Sequence, residues 1–459
     1  MSMARREFLK GGLAALGFMA LDGLPVFAAP TGWKPARKPN LVFGILSDTH
    51  QMIAWDGVSP HSSFPLTFLS NAFKLFKERK IDAFLHLGDA AHRGVVRELE
   101  FHRECFQDVF GKNGGPVKLL VAGNHEYFGH MKRIRTIWPD EDDWAENAIR
   151  ADVPRHWERA WGEKYAPVWH REVKGYHFFG RHWGVDEIEL SDFINSKADE
   201  LGLGGTKPFF ILSHIRHHFK FCQALREFPN AVAFFGHWHQ SNADWKSIYF
   251  DKFGGFFPSI ECGACRAEDG GNDLAHDLEG DDEKDGERNI HNNRLPSRQA
   301  MVVNVYDDMV VFERHEVSEG GKLGPDWVMP LGQYEPHPFK REELERVIGS
   351  PEFSRSAKLT VKKVADGVAI TIPLADGNKK SRVYAYDVSV TGDSPHDAFS
   401  RSVYFEGVNL GVGHEPNHGD TMVEIPKSEL PKGRRLNIAV RPVSSLGTAG
   451  KPITTKWNG

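Results

Sequence analysis

Apolar runs alternate with helically spaced apolar positions over residues 40–240. The segment NLVFGILSDTH, which begins at Asn40, contains an almost continuous apolar run, typical of a strand buried on both faces. In PLTFLSNAFKLFKERK, which begins at Pro65, leucine and phenylalanine recur at helical intervals. Further strands are predicted in DAFLHLGD, VKLLVAGNHE, YHFFG, PFFILSH and AVAFFGHWH, and a helix in LSDFINSKADELG. This alternation predicts a layered α/β domain with mixed sheets flanked by helices.

The pattern changes after residue 240. SIYF, GGFFPSIECGA, AMVVNVYD and MVVFERHE predict strands without helices between them, and WVMPLGQYEPHPF, from Trp327, indicates a connector. From about Ser356 the chain consists of short alternating strands, which favours an all-β sandwich. Its end, LNIAVRPVSSLGTAGKPI, resembles the last two strands of a fibronectin type III domain. We therefore expect the α/β domain over residues 38–335 and a fibronectin III- or immunoglobulin-like β-sandwich over residues 354–459.

The N-terminus has the pattern of an export signal. Arg5 and Arg6 precede a short apolar stretch, and small residues before Ala29 offer a cleavage site after Ala28. The arrangement resembles a twin-arginine signal peptide. It implies removal of residues 1–28, passage through the twin-arginine (Tat) translocase and a periplasmic or secreted location in a bacterium. Because Asp22 interrupts the apolar stretch, we expect no transmembrane segment in the mature chain.

Composition narrows the function classes. The formal net charge of −5 argues against long nucleic acid as a partner. Four cysteines are too few for a disulfide scaffold. Cys262 and Cys265 form a single CxxC, which we interpret either as two buried small residues or as one local disulfide after export. The acidic stretch at residues 268–287 indicates an exposed loop.

Polar side chains follow five of the predicted strands, in the stretches SDTH, GDAAHRG, GNHE, SH and GHWH. In open α/β sheets, ligands bind at the carboxyl ends of the strands, so these side chains should converge on one rim. The residues concerned are Asp48, His50, Asp89, Asn124, His125, His214, His237 and His239.

This donor set predicts two divalent metal ions. Carboxylate and imidazole together suit Mn, Fe or Zn rather than Mg or Ca alone. The i, i+2 spacing in DTH and in HWH places both side chains of each pair on one side of an extended segment. These two pairs, together with Asp89, Asn124 and His214, supply seven candidate ligands. Seven exceed what one tetrahedral ion needs and suit two ions that share a bridging carboxylate.

The five stretches, in this order, resemble the motif series of the calcineurin-like metallophosphoesterase superfamily, which is D-x-H, G-D, G-N-H, H and G-H-x-H. The resemblance covers roughly residues 40–315 and does not include the C-terminal β domain. It implies two metal groups that share Asp89 as a bridge. The first group is Asp48, His50, Asp89 and His239. The second group is Asp89, Asn124, His214 and His237.

The resemblance also implies hydrolysis of phosphate esters. A hydroxide that bridges the metals attacks phosphorus, and protonated His125 acts as general acid on the leaving oxygen, an effect typically worth 10²–10⁴-fold. The amide of Asn124 adds no charge, so the site can admit an anion, and we count Asn124 among the substrate-binding residues together with Arg93.

GDAAHRG resembles G-D-x-x-D-R-G of the protein-phosphatase branch, with one departure. There the arginine meets the phosphate and the second aspartate orients the catalytic histidine. Here Arg93 matches, but His92 replaces that aspartate, which puts the carboxylate pairing of His125 in doubt. Arg93 is therefore either a phosphate contact or a surface residue that caps the following helix.

The predicted substrate is a small phosphate ester. Two alternatives remain open, namely a phosphodiesterase or nucleotide hydrolase on the same site, and a non-catalytic protein attached to a surface by its β-sandwich. His125 favours an enzyme, because a binding protein needs no general acid. Among the other histidines, His86 is predicted to be a hydrogen-bonded core residue, whereas His217 and His218 are either cleft-wall or surface residues or substrate contacts.

Overall fold

The structure is a computed structural model. It describes residues 35, 37–54, 56–61, 66–128, 137–239, 242, 245–250, 255–265, 298–318, 320–332, 337–375, 383–393, 398–404, 421–433, 435–444 and 446–458. The predicted export signal and the acidic stretch lie outside these residues, so both stay predictions.

The α/β part contains strands and helices in alternation. Its described strands are β1 (Leu41–Leu46), β2 (Ala83–His86), β3 (Val117–Leu120), β4 (Val168–Val173), β5 (Tyr176–Arg181), β6 (Phe209–Leu212), β7 (Ala231–Phe235), β8 (Ile248–Tyr249), β9 (Ser259–Glu261), β10 (Gln299–Val305), β11 (Met309–Glu316) and β12 (Trp327–Pro330). Its described α-helices are α1 (Thr67–Arg79), α2 (Val96–Phe110), α3 (Asn124–Phe128), α4 (Glu141–Asn147), α5 (Val153–Trp161), α6 (Glu187–Leu201), α7 (Phe219–Ala224) and α8 (Arg341–Ile348). Short 3₁₀ turns occupy Ile149–Ala151 and Trp245–Ser247.

These strands form two six-stranded mixed sheets. The first has the order β12-β11-β10-β1-β2-β3, in which β1, β2 and β3 are parallel. The second has the order β4-β5-β6-β7-β9-β8, in which β5, β6, β7 and β9 are parallel. The mixed sheets and their flanking helices confirm the predicted layered α/β class.

The two sheets pack face to face through an aromatic core. The ring of Phe43 on β1 meets Phe178, Phe210 and Phe234 of the second sheet edge-on, with ring centroids 5.5, 5.0 and 5.8 Å apart. All four side chains are fully buried. Burial of a phenylalanine stabilises a fold by about 1.5–3 kcal/mol, so this layer holds the sheets in fixed relative positions.

Helices cover the outer faces of both sheets. In α1, Leu69, Ala72, Phe73 and Phe76 recur at helical spacing and pack on the first sheet, as do side chains of α2 and α5. Helices α6 and α7 pack on the second sheet. Helix α6 begins where Asp186 accepts a hydrogen bond from Ile188 N and ends at Gly202 in the left-handed conformation. The layers are therefore helix, sheet, sheet and helix.

The C-terminal part is all-β. Its strands are β13 (Thr360–Val364), β14 (Gly367–Ile372), β15 (Val383–Thr391), β16 (Ala398–Tyr404), β17 (Thr421–Pro426), β18 (Arg435–Ser444) and β19 (Ile453–Asn458). They form a three-stranded sheet, β13-β14-β17, and a four-stranded sheet, β16-β15-β18-β19. One apolar cluster joins the two, with Ile370 and Ile425 from the first and Val388 and Val440 from the second. This is a β-sandwich, and the closer resemblance to fibronectin type III stays a prediction.

The segment between the two parts differs from the prediction. The expected connector contains β12, which adds an antiparallel edge to β11. Trp327 accounts for this pairing, because it lies buried under the guanidinium of Arg314, 4.0 Å from its ring. Helix α8 follows, and Arg341 donates to Leu446 O of the β-sandwich. None of the described helices is long and apolar enough to cross a membrane.

Candidate metal centre

The predicted ligands follow the carboxyl ends of five strands, namely β1, β2, β3, β6 and β7, and all lie in loops except Asn124, which begins α3. Backbone hydrogen bonds join these loops. Asp48 N donates to Gly88 O at 3.0 Å, and His50 N donates to Asp89 O at 2.9 Å. Across the two sheets, His237 N donates to Asp48 Oδ2 at 3.0 Å. The face-to-face packing of the sheets therefore brings all five loops to one rim.

The backbone at the rim is strained. Non-glycine residues seldom adopt positive φ, and strain of this kind concentrates at functional sites. Among the described residues, Lys80 and Lys174 adopt it outside the rim. The others are all predicted metal ligands, namely Asp48 (φ 48°), His50 (φ 44°), Asp89 (φ 52°), His237 (φ 76°) and His239 (φ 52°).

Two motif glycines allow the loops to approach closely. Gly88 has φ 101°, and a Cβ on it would lie 2.6 Å from His214 Nδ1. A Cβ on Gly236 would overlap Ser47 Oγ and Asp48 Oδ2. Alanine at either position would therefore push a metal-ligand candidate out of place.

The first donor group contains Asp48, His50 and His239. His50 Nε2 lies 3.1 Å from His239 Nε2, and Asp48 Oδ1 lies 3.3 Å from the same nitrogen of His239. Asp48 and His50 are buried, and His239 is 9% exposed. These three donor atoms face a common point.

The second donor group contains Asp89, His214 and His237, with Asn124 beside them. His214 Nε2 lies 3.1 Å from Asp89 Oδ2, 3.1 Å from His237 Nδ1 and 2.9 Å from Asn124 Oδ1. Both sheets contribute to this group, because Asp89 and Asn124 follow strands of the first and the histidines follow strands of the second.

These distances fit a pair of metal ions. Two ligand atoms bound about 2.1 Å from one ion lie roughly 3.0–3.4 Å apart at tetrahedral or octahedral angles. Asp89 Oδ2 lies 3.7 Å from His50 Nε2 and 3.1 Å from His214 Nε2, so this oxygen faces both groups. The structure thus brings together all seven predicted ligands. Asp89 Oδ2 lies nearer to the second group than to the first, and the bridging role of Asp89 stays a prediction.

The charge in the site favours cations. Burial acts to raise the pKa of Asp89, but His214 and His125 outweigh it and hold that pKa below its usual range. Burial likewise acts against the charged form of Asp48, and His239 keeps its pKa lowered. Burial acts to lower the pKa of His214, yet Asp89 raises it to about 9. The two carboxylates stay ionised and attract positive charge.

His125 lies beside the first donor group. Its ring centroid is 4.5 Å from that of His50, and its backbone N–H donates to Asp89 Oδ1 at 2.9 Å. Its Nδ1 lies 2.7 Å from the backbone oxygen of His92. Because a carbonyl can only accept, Nδ1 carries a proton, and this carbonyl orients His125 in place of the missing aspartate.

Arg93 lies inside the protein. It is 1% exposed, and its Nη1 donates to Ile53 O at 3.0 Å. It is therefore not a surface residue, and the buried position weighs against direct contact with a substrate. The predicted phosphate contact stays a prediction, which Arg93→Ala would test on a monoester and a diester.

Two buried carboxylates that organise these loops were missed by the sequence analysis. Glu126 accepts hydrogen bonds from the backbone N–H groups of Asp89, Ala91 and Gly123 at 3.0, 2.8 and 2.6 Å. Burial, aided by Asp89, raises the pKa of Glu126 to about 8. The only available signal was its place as the last residue of GNHE.

Glu98 has a similar role on the far side of GDAAHRG. Its carboxylate accepts from Ile53 N at 3.1 Å and from Arg93 N at 2.8 Å. Burial raises the pKa of Glu98 to about 7. The signal in the sequence was a glutamate in the first turn of α2, where such residues bond to the N-terminal backbone.

The other histidines for which the sequence analysis made a prediction, and the two cysteines of the CxxC, lie outside the two donor groups. His86 is buried as predicted, and its Nε2 lies 3.1 Å from Thr49 Oγ1. His217 is buried and stacks on Phe221 at 3.8 Å, whereas His218 is exposed. Cys262 and Cys265 are two buried residues without a disulfide, which agrees with the first of the two interpretations.

The fold and the site define a class of enzyme. A layered α/β fold that carries two metal-donor groups on one rim is the framework of a metal-dependent phosphoric ester hydrolase. Residues 41–241 match the family described as Calcineurin-like phosphoesterase. That range contains all seven ligand candidates and His125. Residues 41–241 therefore form a domain of the calcineurin-like phosphoesterase type, and it carries two candidate metal-donor groups.

Several solved structures are similar to part of the chain. A dimetal phosphatase from Danio rerio is 11% identical over 63% of this chain and 100% of its own, with a TM-score of 0.37. The purple acid phosphatase PPD1 from yellow lupin, Lupinus luteus, is 12% identical over 63% of this chain and 54% of its own, with a TM-score of 0.38. No curated protein matches the sequence.

Proposed function

We propose that this protein is an exported enzyme that hydrolyses small phosphate esters with two divalent metal ions, Mn, Fe or Zn. The observation that carries the proposal is the position of Asp89 Oδ2, within 3.7 Å of His50 Nε2 and 3.1 Å of His214 Nε2. One carboxylate oxygen that faces two donor groups is what a pair of ions about 3.5–4 Å apart requires.

Two ions bound in these groups would polarise the phosphate oxygens and lower the pKa of a bound water. The chain supplies the geometry. Asp48 and Asp89 are buried, so their charges act in a region that excludes water. Asn124 adds a ligand oxygen without adding charge, so the centre retains net positive charge for an anionic substrate.

His125 supplies the proton in this proposal. When protonated, it donates from Nδ1 to the carbonyl of His92 and keeps a second proton on Nε2 for the leaving oxygen. The 2.9 Å bond from its backbone N–H to Asp89 Oδ1 ties its position to the bridging carboxylate. Catalysis and metal binding therefore share one short segment, GNHE.

Metal content and turnover test this function together. The mature protein, loaded with Mn²⁺ or Zn²⁺, should release p-nitrophenol from p-nitrophenyl phosphate and contain two ions per chain by elemental analysis. Asp89→Ala should lose metal and activity together. His125→Ala should keep both ions and lose about 10²–10⁴-fold in kcat on an alkyl phosphate, whose leaving oxygen needs a proton.

The same assay separates the alternatives. A faster rate on bis-p-nitrophenyl phosphate than on the monoester would assign a phosphodiesterase. Two bound ions without turnover of either ester would leave the surface-binding protein as the better account. One ion per chain would remove the bridging role of Asp89.

Export is proposed from the N-terminal sequence. The pair Arg5-Arg6 resembles a twin-arginine signal, and that route carries folded proteins, which suits an enzyme that acquires its metals before export. Replacement of both arginines by lysine should trap the full-length precursor in the cytoplasm, as detected by fractionation and N-terminal sequencing. Normal export of that variant would show that the signal was misread.

A further inference from the structure

His92 lies between the first donor group and His125. Its Nδ1 is 3.2 Å from His50 Nδ1, and its backbone oxygen is 2.7 Å from His125 Nδ1. Its ring also stacks on that of His125, with centroids 5.4 Å apart. One residue therefore contacts a metal-ligand candidate through its side chain and the general-acid candidate through its main chain.

Metal binding determines which ring nitrogens of His50 and His92 carry a proton. His50 turns Nε2 towards His239 and Asp89, so Nε2 is its ligand atom and Nδ1 carries its proton. His50 Nδ1–H then donates to His92 Nδ1, which must accept. The remaining proton of neutral His92 lies on Nε2. The neutral imidazole of His92 thus accepts the hydrogen bond that a carboxylate or a backbone carbonyl often accepts from a metal-bound histidine.

A third metal ion is the competing explanation. His50, His92 and His125 do lie close enough together to hold one. However, that ion would use His50 Nδ1 while Nε2 binds the first metal, so His50 would have to lose both ring protons. The hydrogen-bonded arrangement does not require this loss.

Resting on the binuclear site of the proposed function, we propose that His92 is a positioning residue whose imidazole orients His50 for metal binding and whose carbonyl orients His125. The two roles are separable, because substitution of the side chain leaves the carbonyl in place. Loss of the imidazole should therefore weaken one metal and leave proton donation by His125 intact.

The test compares His92→Leu with His92→Asn. In asparagine, Oδ1 occupies the place of Nδ1 and can accept from His50 Nδ1–H, whereas leucine cannot. Calorimetric titration of metal-free protein with Zn²⁺ should show one of two sites weakened about 10–100-fold in the leucine variant. Both zinc affinities of the asparagine variant should stay within about threefold of those of wild type. This is well below the loss of about 10–100-fold that is expected when His50 has no acceptor.

His177→Leu is the matched control. His177 is half-buried, and its Nδ1 lies 3.1 Å from His170 Nε2, so it too bonds to a histidine, on the second sheet. It touches no metal-ligand candidate, and its loss should leave both zinc affinities unchanged. Equal weakening in this control and in His92→Leu would overturn the proposal as a general effect of losing a histidine.

The leaving group separates the roles of His92 and His125. Because its carbonyl remains, His92→Leu should lower kcat/KM by the same factor for an aryl and an alkyl phosphate. His125→Ala should lower it mainly for the alkyl ester. Unchanged zinc affinities in His92→Leu would overturn the proposal, as would loss of a third bound ion. Because the titration does not depend on turnover, it tests the positioning role of His92 even if the protein hydrolyses no ester.

Discussion

At the scale of single residues, several buried histidines of the α/β domain are held neutral by their surroundings. His182 is buried between Tyr165 and Trp157, and its Nδ1 accepts from Ala122 N at 2.9 Å. Burial lowers the pKa of His182 to about 3, and that of His102 to about 4. Protonation of either ring would place a charge in an apolar layer beneath the metal-binding loops.

His182 should make the domain sensitive to mild acid. Its folded pKa is below the unfolded value of 6.5, so its contribution is complete above pH 6.5. As the pH falls from 6.5 towards 3, the unfolded chain gains a proton that the folded chain does not. Between pH 7 and pH 5 the free energy of unfolding should fall by about 2 kcal/mol through this residue.

Urea unfolding followed by tryptophan fluorescence checks this value. His182→Asn keeps an acceptor for Ala122 N but cannot gain a proton, so its stability should fall less than that of wild type over the same pH range. His218→Asn, at an exposed position, should retain the full decline. Parallel pH profiles for wild type and His182→Asn would contradict the prediction.

Glu126 and Glu98 offer a second comparison of single residues. Removal of either carboxylate leaves buried N–H groups without their acceptor, which should cost about 2–5 kcal/mol in the free energy of unfolding. Only Glu126 holds Asp89 N and Gly123 N, next to the bridging ligand. We expect Glu126→Ala to lose metal as well as stability.

Glu98→Ala is the matched variant for this prediction, because it should lose stability while keeping two ions. Thermal unfolding and elemental analysis of both proteins give the answer. Retention of both ions by Glu126→Ala would show that the backbone of the GDAAHRG loop holds its shape without this carboxylate.

At the scale of elements, the site depends on how closely the loop after β7 approaches the loop after β1. His237 N donates to Asp48 across the two sheets, and Gly236 leaves the space for that contact. Since each loop follows a buried strand, neither can retreat without disturbing the sheet. The candidate metal centre thus connects the two sheets.

Gly236→Ala tests this close approach of the two loops. The new Cβ would displace Asp48, so we expect loss of metal from the first donor group and at least a tenfold loss of kcat/KM, in line with weakened metal support. Gly204→Ala, where nothing lies within 4 Å of the added Cβ, should change neither. Unchanged zinc titration of Gly236→Ala would mean that the loops can move apart without penalty.

At the scale of the whole molecule, the two parts have separate cores. The sheets of the α/β part share an apolar cluster that reaches Leu446, and the β-sandwich has its own cluster. Every metal-ligand candidate belongs to the α/β part. Arg341 and Thr448 join the two parts, the latter by a 2.8 Å bond to Gly349 O.

Chelation should therefore affect one part. A ligand that binds only the folded state at about 1,000 times its dissociation constant adds about 4 kcal/mol of stability. Removal of the metals with EDTA should lower the unfolding temperature of the α/β part and leave the transition of the β-sandwich unchanged, as measured by calorimetry. A single transition that shifts as a whole would show that the two parts unfold together.

The sequence by itself determined the layered class and the position of the candidate ligands at the ends of strands. Buried strands appear in the sequence as continuous apolar runs. A polar residue just after such a run lies at the end of a strand, and this holds for any conformation of the loop that follows. Because parallel strands of one sheet share one rim, Asp48 and Asp89 could be brought together from order and spacing alone. His214 follows a strand of the second sheet, so its approach to them depends on how the two sheets pack. The C-terminal sandwich followed from alternation in the same way.

Tertiary structure alone decided how the loops are held. The bonds of His92 to His50 and His125, the burial of Arg93 and the acceptor role of Glu126 join residues 33 to 42 positions apart or depend on strained backbone. Hydrophobic periodicity does not predict these contacts, because a loop has no repeating geometry. The partners of a loop residue depend on where the two packed sheets place the ends of the loop.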